Sequence, residues 1–155
     1  ADVFAFARDF APHSGVKKFL TGTPLVGADE LASAILDVWP KVEPAKLWAK
    51  HRSLTDFLIA ALRQECGSLG VTVNSPDDHA RRGGNVSFSS PGAGSVVEAL
   101  IDAGVISSFR KPDAIRFGVS PLVIRHVDCW TAVQRLRRIL AEKTWQQPKY
   151  EKVSV

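Results

Sequence analysis

A single arginine, Arg116, interrupts the apolar run AIRFGV at residues 114–119, between Ile115 and Phe117 and close to Val119, Leu122 and Val123. Such a run reads as a buried strand or a strand end. A buried guanidinium without a partner is strongly unfavourable. Its partner is a carboxylate of the chain, with Asp113 and Asp128 near in sequence, a ring of carbonyls, or the carboxylate of a ligand. A planar fork grips a carboxylate through two parallel N–H donors. The residues alone leave these readings open. A second stretch, TGTP at 21–24, offers the Thr21 and Thr23 hydroxyls and nearby backbone N–H groups to an anion ahead of a helix start, or forms a plain turn.

Other chemistries find little support. His13, His51, His79 and His126 are widely spread, and none has a cysteine or carboxylate at a recognised ligand interval, so no metal site is expected. No nucleophile elbow, Walker loop or dinucleotide fingerprint occurs. GSLGV and GAGS read as cap and turn glycines. Cys66 and Cys129 belong to no CxxC pair and read as buried or half-buried thiols of a cytosolic protein. The net charge is +4, yet the basic residues are scattered apart from Arg135, Arg137, Arg138 and Lys143. These sit near the end of a predicted helix, where cations complement the macrodipole. No aromatic-interleaved basic stripe accompanies them, so no nucleic-acid partner is expected. No apolar run approaches the roughly 18 residues of a membrane span. Asp2, Arg8 and Asp9 break the N-terminal hydrophobics, so no secretory leader is expected.

The elements that must position these residues follow from periodicity. At 155 residues the chain fits one domain, or one and a part. Residues 1–15 read as an extended lead-in and Val16 to Leu20 as a short strand. Asp29 precedes a helical series, Leu31, Ala34, Ile35 and Val38, that Pro40 ends. Pro44 opens the clearest helix, whose apolar stripe (Leu47, Leu54, Phe57, Leu58, Ala61 and Leu62) runs towards a stop at Gly67. Beyond Gly70 the alternation of VTVNS (71–75) and NVSFSS (85–90) predicts strands, with the polar loop PDDHARRGG between them. A helix over 94–103, strands at 105–109 and 114–118, and a last helix from Val127 to about Glu142 complete a β-β-α-β-β-α layer. From Lys143 the tail reads as polar and poorly packed. The first half has too little apolar surface for a core of its own, which points to a missing partner segment or chain.

These residues also carry a resemblance. FLTGTP (19–24), AKHRSLTDFLIAAL (49–62), ARRGGNVSF (80–88), EALIDAGVISSFRKPDAIRFGVSPL (98–122) and DCW (128–130) resemble, in that order, the C-terminal part of kynureninases. The family implies an α/β architecture of fold type I, that of the pyridoxal-phosphate-dependent transferases, ending in an α+β small domain. Residues 1–43 are then the end of the large cofactor domain, 44–67 a linking helix, 68–142 the small domain and 143–155 a tail. The resemblance implies a homodimeric, cytoplasmic hydrolase of tryptophan catabolism that cleaves L-kynurenine to anthranilate and L-alanine with pyridoxal phosphate. Arg116 matches the arginine that takes the substrate α-carboxylate. Thr23, with Gly22 keeping the approach open, matches the residue reaching the neighbouring subunit's site near the cofactor phosphate. The matching stretch begins downstream of the family's Schiff-base lysine, so no residue here is nominated as catalytic and the chain alone is expected to be inactive. Val123 stands where many relatives have Tyr, and Ser120 where Thr is common, so another amino-acid substrate is an alternative. Another is a non-catalytic subunit completing a site on a second chain.

Overall fold

The computed structural model describes Arg8, Asp9, residues 11–19, Gly22 and residues 25–151. It divides into two units, Ala1–Val42 and Glu43–Val155. In the first, Gly15–Phe19 form a 3-10 helix. The strand expected at 16–20 is therefore not formed over 16–19, and Leu20 lies outside the described residues. A strand must pair its backbone groups with a neighbour, whereas i→i+3 bonds satisfy them locally. Helix α1, Val26–Leu36, begins earlier than Asp29 and so carries that carboxylate in its first turn, where the macrodipole favours it. Its apolar residues stay open: Leu31 is 70% and Ile35 64% exposed.

The second unit is a mixed helix and sheet layer. Helix α2, Pro44–Cys66, has Pro44 in its first turn. It buries Leu54, Leu58, Ile59, Ala61 and Leu62, and each such leucine contributes about 2 kcal/mol of apolar burial. A short 3-10 turn, Gly67–Leu69, follows it, and the chain reverses at Gly70 with φ +88°. The four strands are β1 (Thr72–Val73), β2 (Asn85–Ser89), β3 (Ser108–Arg110) and β4 (Ala114–Gly118), ordered β1-β2-β4-β3 and antiparallel throughout. Helix α3, Ala93–Asp102, carries the chain from β2 over to β3, leaving room for β4 between them. Helix α4, His126–Ala141, packs against α2. This is the expected β-β-α-β-β-α order, with β3 displaced from 105–109 to 108–110. Val105 N–H bonds Leu100 O and Gly104 N–H bonds Ile101 O, so those residues close α3 instead of opening a strand.

Alternation along the strands places Val86, Phe88, Ile115 and Phe117 under the helices, all buried. Phe88 and Phe117 meet edge to face at 5.0 Å between centroids. Both cysteines are free and buried, as expected. The tail departs from expectation. Trp145 and Tyr150 pack on the core, and Asp102 accepts hydrogen bonds from Lys149 Nζ at 3.1 Å and Tyr150 OH at 3.0 Å. Those two donors hold the Asp102 carboxyl below its usual range, Lys149 first. Two aromatic anchors outweigh the polar character of the residues between them.

Gly92, at φ +62°, starts α3 directly beneath the Trp145 ring, and an added Cβ would stand 2.1 Å from it. Gly92→Ala should cost roughly 2–4 kcal/mol in urea unfolding, from backbone strain and overpacking together. With Trp145→Ala present the extra cost should shrink, and full additivity would show that the ring does not lie there.

Burial, and next the Glu65 charge, push the Cys66 thiol up from 9.0 to about 11. In the unfolded chain that proton is lost first, so this contribution to stability is present below pH 9 and lost between pH 9 and about 11. Cys66→Val should flatten this part of the decline in denaturation midpoint. Identical pH profiles for the two proteins would refute the burial effect.

Candidate functional site

The register of the central strands decides where Arg116 sits. Arg116 pairs with Ser87 of β2 on one side and with Ser108 of β3 on the other. Since Ile115 and Phe117 face the helices, Arg116 faces the opposite side of the sheet, half-buried. The fully buried arginine suggested by the apolar run is thus corrected: the run alternates. Along β4 its same-face neighbours are Ala114 and Gly118, both small, and across β2 lie Ser89 and Asn85.

Among the described residues the Arg116 guanidinium makes one hydrogen bond, from Nε to Ser108 Oγ at 3.3 Å, and no ion pair. Neither proposed intramolecular carboxylate serves it. Asp128 caps α4, accepting from Arg125 backbone N–H at 2.9 Å and from Arg125 Nε at 3.0 Å and Nη2 at 2.9 Å. The Arg125 bonds hold the Asp128 carboxyl below its usual range. Asp113 forms no ion pair among the described residues, and its backbone oxygen accepts from Ser90 N–H. Three arginines of the described residues are partly buried, Arg82, Arg116 and Arg135. Arg82 pairs with Asp56 and also donates to the carbonyls of Pro76 and Asp77. Arg135 donates to the Ala103 carbonyl beyond the end of α3 at 2.7 Å. Arg116 alone of the three has only a neutral hydroxyl as acceptor.

The end of the β2–β4 pair near Arg116 is pinned from α2. Buried His51 places Nδ1 3.3 Å from the Val119 carbonyl and Nε2 3.2 Å from the Gly83 carbonyl. Val119 N–H in turn donates to Gly84 O at 3.1 Å. The Arg82 side chain, only 3% exposed, ties the preceding loop to Asp56 of α2, and Arg63 of α2 pairs with Asp77 at 2.7 Å. The Arg63 bond lowers the Asp77 carboxyl. Sequence reading singled out neither His51 nor Arg82 for this duty, and it missed Ser87 and Ser108. Their spacing from Arg116 carries no periodic signal; only the strand register brings them together.

A cavity of about 470 Å³ opens on the helix side, lined by Leu58, Phe117, Val119, Cys129 and Arg135 among others, but not by Arg116. Gly22 belongs to the first unit and is exposed, with nothing of the described residues within 4 Å of where a Cβ would stand. Thr23, like Thr21, lies outside the described residues. In the basic cluster, Arg137 pairs with Glu65 at 3.7 Å and Arg135 is engaged as above. Among the described residues no helix is long and apolar enough to cross a membrane.

Comparison with known proteins now places the molecule. Residues 47–136, which include Arg116, Ser87, Ser108 and His51, match the family model of the kynureninase C-terminal domain. The chain belongs to the kynureninase family. It is 37% identical to a kynureninase of Pseudomonas fluorescens over 148 residues, 96% of this chain and 36% of that protein. Kynureninases of Burkholderia mallei (strain SAVP1) and Burkholderia pseudomallei (strain K96243) are each 35% identical over 147 residues, 95% of this chain and 35% of theirs. The chain therefore spans about a third of the length of the kynureninases it matches, at their C-terminal end.

The His51 clamp within this kynureninase domain can be tested directly. His51→Ala deprives two backbone carbonyls of their facing nitrogens and should destabilise the chain by about 1–3 kcal/mol. Amide exchange at Val119, whose N–H bonds Gly84 O, should accelerate more than at Phe88. Uniform acceleration across the sheet would show that His51 contributes only general packing.

Proposed function

We propose that this chain is the C-terminal part of a pyridoxal-phosphate-dependent hydrolase that cleaves L-kynurenine to anthranilate and L-alanine, and that Arg116 receives the substrate's α-carboxylate. The observation that carries the reading is a half-buried guanidinium, on an open polar sheet face, whose terminal nitrogens have no acceptor among the described residues of a kynureninase-family chain.

The described residues do not form a cradle for the cofactor. Lys46, Lys50 and Lys149 are committed to Glu43, the Pro121 carbonyl and Asp102, and no described residue approaches Gly22 where a Cβ would stand. In this reading the cofactor is held mainly by the upstream part of the enzyme, within the fold type I architecture. A second subunit of a cytoplasmic homodimer brings Gly22 and Thr23 towards the cofactor phosphate. Pyridoxal phosphate, when bound, supplies an electron sink, and the protein supplies orientation and electrostatics. The part given to Arg116 is to fix the carboxylate. Two parallel N–H donors set both its distance and its angle, and so which Cα bond is presented for reaction. A lysine would fix distance only. The ending of β4 in Gly118, with Ala114 two residues before Arg116, leaves the guanidinium open to a ligand.

The test combines this chain with the upstream portion of the Pseudomonas fluorescens kynureninase and follows anthranilate fluorescence. The chain alone should give no turnover, and the combination should. Within the active combination, Arg116→Ala should lower kcat/KM by about a hundredfold, the worth of two charge-assisted hydrogen bonds. Arg116→Lys should fall between, and cofactor absorbance should be retained in both. Unchanged kcat/KM in Arg116→Ala would make the arginine structural, and turnover by the chain alone would overturn the division of the site.

A further inference from the structure

A guanidinium offers a carboxylate two bidentate docking edges, end-on across Nη1 and Nη2 or side-on across Nε and one Nη. In this structure Ser108 Oγ already accepts the Nε–H of Arg116, at 3.3 Å. The two terminal nitrogens have no partner among the described residues, and Ala114 and Gly118 leave the space along β4 uncrowded. We infer that Ser108 is a positioning residue that occupies the side-on edge of Arg116, so that the substrate carboxylate docks end-on across Nη1 and Nη2. This rests on the reading of Arg116 as the carboxylate-binding residue.

The physical argument has two steps. An arginine side chain is rich in rotamer freedom, and a single anchor at Nε removes much of it before the ligand arrives. The anchor is a hydroxyl, which accepts the N–H without neutralising the charge, so the guanidinium keeps its full attraction for an anion. Serine also reaches from a fixed place: Ser108 lies directly opposite Arg116 in the β3–β4 register. The site so formed asks for two coplanar oxygens on one carbon, and an amino-acid amide presents only one.

Two measurements decide the matter. In the active enzyme, Ser108→Ala should raise KM for L-kynurenine about tenfold and leave kcat within about twofold, because the ordering of Arg116 is then left to the binding step while the bound carboxylate still holds the fork in place. Ser108→Thr, which keeps the hydroxyl, should restore KM. In the 155-residue chain itself, NMR should show slower hydrogen exchange of the Arg116 Nε–H than of the exposed Arg52, with the resonance assigned through Arg116→Lys. In Ser108→Ala that protection should disappear. Unprotected Nε–H in the parent chain, an unchanged KM in Ser108→Ala, or a loss confined to kcat would each overturn the inference. Failure of the underlying reading looks different: Arg116→Ala would leave kcat/KM unchanged while Nε–H protection by Ser108 persisted.

Discussion

The pairing of β2 with β4 is the constraint on which the rest of this domain depends. Its register, Val86 with Phe117 and Phe88 with Ile115, commits four apolar side chains to the helices. The same register commits Arg116 and Ser87 to the other side. Because side chains alternate with a period of two, a slip of one residue would turn Arg116 into the core and Ile115 and Phe117 out of it. An uncompensated guanidinium under the helices would cost several kcal/mol. The hydrophobic core and the polar face are therefore one specification, and neither can be changed without the other. His51 and the Arg82–Asp56 pair act on the same register from outside, fixing the chain as it enters β2 and leaves β4.

Much of this arrangement was legible in the residues. Pro44 and the stripe from Leu54 to Leu62 mark α2 because 3.6-residue periodicity and a proline in the first turn agree with each other. Strands β2 and β4 are legible through alternation, and the family through its motifs. What escaped depends on contacts distant in sequence. The residues from Val16 to Phe19 look like a strand by type, but a strand exists only where another can pair with it. The tail looks unpacked by composition, yet Trp145 reaches over Gly92 and Tyr150 reaches Asp102, 48 residues away. Arg116 was recognisable as chemically conspicuous from its position in the run. Its serine neighbours were not, since Ser87, Ser108 and Arg116 meet only through two strand registers.

The partners of the buried cations explain why Arg116 stands apart. Burial of a guanidinium is offset when its donors meet acceptors. Arg82 is offset at its terminal nitrogens by a carboxylate and two carbonyls, its buried Nε having no partner among the described residues, and Arg135 by a carbonyl just beyond a helix end, where the backbone dipole also favours a cation. These two arginines are structural: one ties a loop to α2, the other joins α3 to α4. Arg116 spans nothing comparable, because Ser108 is already its paired neighbour in the sheet. Among the described residues its charge joins no two elements through an ion pair.

A site that receives an anion needs an uncompensated cation held in a fixed orientation, and those two demands conflict. A carboxylate partner would fix the guanidinium but spend its charge, whereas water would spare the charge and leave the side chain free to move. A hydroxyl on the adjacent strand meets both demands, since it accepts one N–H and carries no charge. The small residues on either side complete the arrangement by leaving the outer edge of the fork uncovered. The half-burial of Arg116 then works in the same direction, because attraction between opposite charges strengthens as water is displaced from around them. Within this domain the polar face of the sheet carries the half-buried guanidinium, and the apolar face supplies the rigid packing beneath it.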